Sequence, residues 1–183
     1  MSASDTKSRI LEAAGRVVLD RGAAGLTLDA VAAAAGLSKG GLLYHYGSKE
    51  ALLAAMVERL VAVTEERIAA HRSEDTDAGS WTRGYLQACV VEELDEQDPA
   101  GRLAMALLAA GASAPDLIVS IRERQEEWRR RLGHDGIDPV TAMIVRLAAD
   151  GLWMSDLFRL PVLTDEERQA VLTRLDALTR TGS

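Results

Sequence analysis

Apolar residues recur at intervals of three and four along most of the chain, and this spacing predicts an all-α protein. Ile10, Ala14, Val17 and Val18 give a first predicted helix one apolar face, and this helix should end near Gly22. No stretch alternates between apolar and polar residues as a half-buried strand would, and no internal repeat is visible. We therefore expect about nine helices joined by short polar turns.

Two short helices separated by a tight turn are predicted after the first one. Thr27 is suited to cap the second helix, because its hydroxyl can accept a hydrogen bond from a free backbone N–H. Gly36 can adopt the left-handed conformation that ends this helix, and Ser38 can cap the third. Two helices joined in this way form a helix-turn-helix, which places its second helix in the major groove of DNA.

The third predicted helix leaves Lys39, Tyr44 and His45 on its polar side. A solvated surface with partly packed aromatic rings is the plain interpretation of such residues. The pair Gly40-Gly41 favours another interpretation, because each glycine inside a helix costs about 1 kcal/mol relative to alanine. Without side chains, the N-terminus of the helix can approach a phosphate or a base edge closely, and its dipole favours an anion there.

This region resembles the TetR family of bacterial transcriptional regulators. The matching residues follow in order and without gaps, and they are Thr27, Val31, Ala32, Ala35, Gly36, Ser38, Gly40, Leu42, Tyr44, His45, Tyr46, Lys49, Glu50 and Leu52. The resemblance covers the first quarter to third of the chain. It implies a three-helix DNA-binding domain over residues 1–49, followed by a helical domain for ligand binding and dimerisation over residues 50–183.

The resemblance also implies two kinds of contact with DNA. The residues that would contact backbone phosphates are Thr27, Tyr44, His45 and Lys49. The residues at the tip of the third helix, nearest the base edges, would be Ser38, Lys39 and Gly40. Gly41 also belongs to this DNA-binding set, but it stands where many members offer a Thr, Ser or Ala side chain to a base. We therefore predict that Lys39 is the main reader of guanine.

Helix starts in the second part of the chain are marked by capping signals. A fourth helix is predicted from Ser48 to His71 or Arg72, and a polar, acidic break over residues 73–79 follows it. Further signals lie at Ser80, at Asp98-Pro99, at Ser113-Ala114-Pro115, at Asp138-Pro139, and at the capping box from Thr164 to Glu167. We expect the helix from Ser80 to reach about Glu96, and the helix from Asp138 to reach Leu160.

All three tryptophans lie in this second part, although the chain is only 4% aromatic. Each alone is more typical of an ordinary core, but together with the methionines they suggest a cavity, and the family resemblance implies an inducer bound there. The predicted lining is Trp81, Tyr85, Cys89, Met105, Trp128, Met143, Leu147, Asp150 and Trp153. Asp150 would suit a lipophilic cation in such a pocket, or it would act as a cap or pair across a dimer, for instance with Arg146.

The helix that follows Asp138 is apolar around most of its circumference. Either this helix is central to a single chain, or one side of it is covered by a second copy in a four-helix bundle. The family resemblance favours the second alternative. We therefore expect a homodimer that forms through the last two helices.

The net charge of −7 is unfavourable for DNA binding at first sight, because phosphate contacts need Lys and Arg. However, residues 1–50 carry six Lys or Arg against five Asp or Glu, so the excess of acid lies entirely in the remainder. The histidines are scattered, and one cysteine cannot form an internal disulfide. We expect no catalytic site, metal, cofactor or membrane span, and a cytoplasmic location.

The helix-turn-helix pattern and the family resemblance together predict a ligand-responsive transcriptional repressor. It would bind a palindromic DNA operator as a homodimer, and a small lipophilic or aromatic inducer would release it. The alternative is a helical small-molecule-binding or scaffold protein that does not bind DNA.

Overall fold

The computed structural model describes residues 3–90, 103–104, 106–107 and 115–180. The helices are α1 Ala3–Arg21, α2 Leu28–Ala35, α3 Lys39–His45, α4 Lys49–Arg72, α5 Ser80–Cys89, α6 Pro115–Leu132, α7 Pro139–Leu157 and α8 Asp165–Arg180. No β-strand occurs in this part of the chain, which confirms the predicted all-α class. The signals at Asp98-Pro99 and Ser113 lie outside the described residues. The end predicted for α5 at about Glu96 is wrong, because this helix stops at Cys89.

The chain divides into two compact units. The head unit comprises Met1–Val61 and Asp95–Glu123, and the body unit comprises Ala62–Leu94 and Arg124–Ser183. Two of the three boundaries fall inside helices, one in α4 and one in α6, and the third lies outside the described residues. The assignment of DNA binding to residues 1–49 and of ligand binding and dimerisation to residues 50–183 concerns function, and it stays a prediction.

The core of the head unit is formed by the apolar faces of its first helices. Ile10, Ala14, Val17 and Val18 are all buried, as their spacing predicted. The other large side chains that are almost completely buried in this core are Leu26, Val31, Leu42, Leu52 and Met56. The guanidinium of Arg9 in α1 donates to the carbonyl of Ala35 at 2.8 Å, so α1 also satisfies an acceptor at the end of α2.

The N-terminus of α5 is capped by a residue that is distant in sequence. Gly79, with φ +82°, takes the position before the helix, and Ser80 lies inside it, so the predicted Ser80 cap is wrong. The carboxylate of Asp135 accepts hydrogen bonds from the backbone N–H groups of Trp81 at 3.0 Å and Thr82 at 2.7 Å. Two unpaired donors of the first turn are thereby satisfied from the loop before α7.

Arg83 of α5 joins the loop before this helix to the end of α8. Its side chain is only 5% exposed, and it forms a bidentate pair with Asp75 at 2.5 and 2.9 Å. The Nη1 atom donates to the carbonyls of Ala78 at 2.9 Å and Thr179 at 3.2 Å. The hydrogen bonds from Arg83 lower the pKa of Asp75 from 3.8 to about 2. Three segments of the body unit are therefore held by one buried cation.

The last two helices begin where the sequence predicted. Asp138 accepts from the backbone N–H of Thr141 at 2.8 Å at the start of α7. Thr164 and Glu167 form the reciprocal capping box before α8, with bonds of 2.9 and 3.2 Å. The predicted end of α7 at Leu160 is three residues too late, because the helix stops at Leu157.

Candidate DNA interface and ligand site

The turn between α2 and α3 is stabilised by local capping bonds. The hydroxyl of Thr27 accepts from the N–H of Ala30 at 3.1 Å, and the hydroxyl of Ser38 accepts from Gly41 at 3.1 Å. Gly36 adopts the left-handed conformation, with φ +68°. These three predictions are confirmed. Because both hydroxyls act as acceptors within the protein, their own protons are suited to donate to phosphate oxygens.

The outer side of α3 exposes an aromatic ring to solvent. The side chain of Tyr44 is 86% exposed, and its ring meets His45 edge to face, with centroids 5.2 Å apart. A Cβ added at Gly40 would meet no atom within 4 Å, so packing inside the protein does not require glycine there. Gly40 therefore lowers the stability of the helix without improving any packing contact inside the protein. This favours the interpretation that an external partner approaches α3 closely.

Lys39 forms an ion pair with a residue of α2. Its Nζ donates to the carboxylate of Asp29 at 2.9 Å, and both side chains are more than half exposed. Exposed ion pairs of this kind contribute about 0–1 kcal/mol, so a guanine or a phosphate can displace Asp29. No local sequence pattern indicates this pair, because the two residues belong to different helices and are ten positions apart.

The structure brings the eight predicted DNA-binding residues onto a short segment of the head unit. Thr27 precedes α2, Ser38 precedes α3, and Lys49 is the first residue of α4. The remaining members of the set belong to α3 and are Lys39, Gly40, Gly41, Tyr44 and His45. None of the eight is fully buried. The set is therefore available to a partner.

Three aromatic rings form a buried cluster in the body unit. Trp81 stacks on Tyr85 with centroids 5.5 Å apart, and Trp128 meets Tyr85 edge to face at 5.5 Å. All three residues are buried. The guanidinium of Arg146 lies 5.7 Å from the centre of the Tyr85 ring. Tyr85 is thus the central member of this aromatic cluster.

The polar groups next to the aromatic cluster are held in neutral or paired forms. The hydroxyl of Tyr85 donates to the carboxylate of Asp150 at 2.5 Å, and burial raises the pKa of Tyr85 well above its usual value. Burial, followed by the charge of Asp150, raises the pKa of Cys89 to about 12. Tyr85 therefore keeps its proton for this bond, and Cys89 is a buried thiol rather than a reactive thiolate.

Two buried donors in this region have no hydrogen-bond partner in the described part of the chain. They are the indole Nε1 of Trp81 and the Nε of Arg146, whose nearest carboxylate oxygen, on Asp150, is 3.7 Å away. An unsatisfied buried donor costs about 1–3 kcal/mol. In contrast, the indole of Trp128 donates to Glu65 of α4 at 2.6 Å. Trp81 and Arg146 therefore each have a buried donor that could bind a hydrogen-bond acceptor from a ligand.

The other predicted lining residues are placed differently. Met143 and Leu147 are 41% and 70% exposed on α7, and Trp153 is half-buried. Met105 lies outside the described residues. Five predicted residues belong to the aromatic cluster and its polar neighbours, and these are Trp81, Tyr85, Cys89, Trp128 and Asp150. No sequence pattern indicated Glu65, and Arg146 was suggested only as a partner of Asp150.

One side of α7 and the residues after it expose a band of apolar side chains, here called the α7 face. It consists of Val140, Met143, Ile144, Leu147, Met154, Phe158, Leu160 and Val162. The opposite side of α7 is buried in the body unit through Ala142, Val145, Ala149 and Leu152. A contiguous apolar surface of this kind is typical of an interface with another protein.

The described residues contain no cluster of His, Cys, Asp and Glu side chains suited to hold a metal ion. No helix among them is long and apolar enough to cross a membrane.

Comparisons with known proteins agree with the structural evidence. The family model described as bacterial regulatory proteins, tetR family, matches residues 10–56, and the model described as tetracyclin repressor-like, C-terminal domain, matches residues 79–180. The transcriptional regulator BetI of Stenotrophomonas maltophilia is 27% identical over 158 residues, which cover 81% of this chain and 79% of that protein.

Solved structures of similar proteins cover almost the whole chain. The TetR-family member SCO1917 from Streptomyces coelicolor is 28% identical, with a TM-score of 0.69 and coverage of 93% of this chain and 97% of that one. The multidrug binding protein EbrR, complexed with malachite green, is 27% identical, with a TM-score of 0.61 and coverage of 92% and 96%. Since the C-terminal family model alone spans more than half of the sequence, this chain belongs to the TetR family of bacterial transcriptional regulators.

Proposed function

We propose that this regulator represses transcription in the cytoplasm by binding a palindromic DNA operator as a homodimer, and that a small lipophilic or aromatic ligand releases it. The proposal that this protein binds DNA is supported by the outer side of α3. Tyr44 is almost fully exposed there, and Gly40 is a glycine that packing does not require. Both features fit a helix whose outer side is covered by DNA.

The proposed roles follow from the chemistry of each side chain. Thr27, Tyr44, His45 and Lys49 contact backbone phosphates and set the register of the helix. Ser38, Lys39, Gly40 and Gly41 lie at the base edges, where Lys39 donates to guanine after leaving Asp29. In a dimer, two such helices would enter successive major grooves about 34–36 Å apart.

Two lysine variants test these roles in a DNA-binding assay. Lys39→Ala should weaken binding to promoter DNA beside the gene by about 1–3 kcal/mol and relax the base preference, because it removes a contact with a base. Lys49→Ala should weaken binding to promoter and scrambled DNA equally and reduce the salt dependence, because it removes a phosphate contact. Gel shifts over a range of salt concentrations measure both effects.

Two outcomes of this assay would contradict the proposal. Equal losses on promoter and scrambled DNA for both variants would show that the assigned roles are wrong. If no promoter fragment bound in a salt-sensitive manner, the alternative of a helical ligand-binding or scaffold protein without DNA binding would be favoured.

The homodimer is proposed to form through α7 and α8, with the α7 face at its centre. A charge at this face would be desolvated on association, so Leu147→Glu should yield a monomer in light scattering and should lose operator binding. Leu19→Glu is the matched control, because Leu19 is also partly exposed but lies on α1. A Leu147→Glu protein that remained dimeric would place the interface elsewhere.

The ligand-binding half of the proposal is supported by the aromatic cluster. EbrR, which is similar over nearly its whole length, was solved with malachite green bound. In this chain, Trp128 of the aromatic cluster and Arg131 both donate to Glu65 of α4, at 2.6 and 2.9 Å. Because α4 begins at Lys49, a ligand that displaces Trp128 would bias α4 towards an arrangement that DNA does not fit.

A further inference from the structure

We propose that the ligand is an aromatic carboxylate, whose ring packs against the aromatic cluster and whose carboxylate accepts hydrogen bonds from Trp81 and Arg146. This inference rests on the proposed function, and it specifies the class of the ligand and the residues that select it. It also replaces the lipophilic cation that the presence of Asp150 suggested from the sequence.

The two unsatisfied donors belong to residues that flank the same ring. Trp81 stacks on Tyr85 at 5.5 Å, and the guanidinium of Arg146 lies 5.7 Å from the Tyr85 centroid. The indole Nε1 and the Arg146 Nε are both buried, and neither has a hydrogen-bond partner in the described chain. Indole and guanidinium groups can only donate, so a complementary ligand must bring an acceptor.

The carboxylate of Asp150 already has partners within the protein and does not need a cationic ligand. One of its oxygens accepts the hydroxyl proton of Tyr85 at 2.5 Å, and the other lies 3.7 Å from Arg146. A cationic ligand would have to compete with the guanidinium of Arg146 for this carboxylate. It would also leave both buried donors without an acceptor.

A carboxylate is the acceptor that suits Arg146 best. Cys89, at the end of α5, is influenced by the positive charges of Arg146 and Arg67 as well as by the negative charge of Asp150. A charge-assisted hydrogen bond from a guanidinium to a carboxylate is stronger than a bond to a neutral carbonyl oxygen.

Two matched probes test the ligand class by calorimetry on the full chain. They are 2-naphthoate and 2-naphthylmethylammonium, which share a ring system and differ in the sign of their charge. We expect 2-naphthoate to bind at least about tenfold more tightly, which corresponds to one charge-assisted hydrogen bond. Equal or tighter binding of the ammonium probe, or no measurable binding of 2-naphthoate, would overturn the proposal.

Two variants test the assigned donors. Trp81→Phe keeps an aromatic ring and removes the indole N–H, and Arg146→Met keeps an unbranched apolar stem and removes the guanidinium. Each should weaken 2-naphthoate binding by about tenfold, whereas Arg129→Met, on the exposed side of α6, should leave it unchanged. Thermal melts confirm that the variants fold. Unchanged affinity in both folded variants would contradict the assignment.

Gel shifts on the same preparation separate this inference from the proposed function. If 2-naphthoate binds through Trp81 and Arg146 but does not release DNA, the ligand class stands and the proposed release mechanism fails. If 2-naphthylmethylammonium releases DNA instead, the proposed regulatory function stands, and the proposal that the ligand is a carboxylate is overturned.

Discussion

Replacing Arg83 with methionine should lower the free energy of unfolding by about 3 kcal/mol, as measured by urea denaturation. Breaking a buried ion pair typically costs about 3–5 kcal/mol, and the lower end applies because Asp75 retains 25% of its side-chain exposure. The substitution also removes the donors to the carbonyls of Ala78 and Thr179. The loop before α5 and the end of α8 would then lose their common partner.

The same pair predicts how this effect depends on pH. Arg83 lowers the pKa of Asp75 from 3.8 to about 2, so the carboxylate contributes stability above pH 3.8. That contribution is lost as the pH falls through about 2, where Asp75 becomes protonated in the folded protein. The difference in unfolding free energy between the wild type and Arg83→Met should therefore be largest above about pH 4 and should narrow below it.

The matched control for this substitution is Arg129→Met. Arg129 forms an ion pair with Glu126, but both side chains are more than half exposed, so the loss should be much smaller than for Arg83→Met. Equal losses for the buried and exposed arginines, or a difference that did not depend on pH, would contradict the role given to Arg83.

Leu42→Ala should destabilise the head unit by about 2–5 kcal/mol and abolish operator binding. Leu42 is 0% exposed in α3, where it packs into the core of the head unit. Its removal leaves a cavity that the small helices around it can fill only partly. The orientation of α3, on which the proposed DNA contacts depend, would be lost together with this packing. Denaturation and gel shifts measure the two effects.

The neighbouring leucine provides the control for Leu42→Ala. Leu43 is 39% exposed, so Leu43→Ala should change the unfolding free energy by no more than about 0.5 kcal/mol and should preserve operator binding. The two variants remove the same atoms from the same short helix. Any difference between their unfolding free energies is therefore caused by the different burial of the two leucines. A greater loss for Leu43→Ala would mean that α3 is oriented differently.

Features that depend on a few consecutive residues were predictable from the sequence. The caps at Thr27, Ser38 and Asp138, and the left-handed Gly36, were predicted from residue types and are present in the structure. Each of these is stabilised by a bond to a residue at most four positions away, so the information required is local. The buried face of α1 was predictable for a similar reason, since helical spacing alone determines which side chains share a face.

Features that join distant parts of the chain were not predictable in this way. Ser80 is a good capping residue by type, yet Asp135 satisfies the first turn of α5 from more than fifty positions away. Arg83 gave no sequence signal, because its importance lies in being buried against Asp75 and the end of α8. A propensity describes one residue and its neighbours, whereas these contacts depend on which loop lies beside which helix.

Helical periodicity and capping residues are enough to predict that this chain is all-α, that α2 and α3 form a helix-turn-helix, and that α7 is apolar on more than one side. Packing in the folded chain determines which side of α7 is buried, so that Met143 and Leu147 are exposed and Asp150 lies beside Tyr85. Packing also pairs Lys39 with Asp29 and leaves Trp81 and Arg146 with unsatisfied donors. The physical reason is that periodicity assigns residues to faces, whereas burial and hydrogen bonding depend on what each face meets.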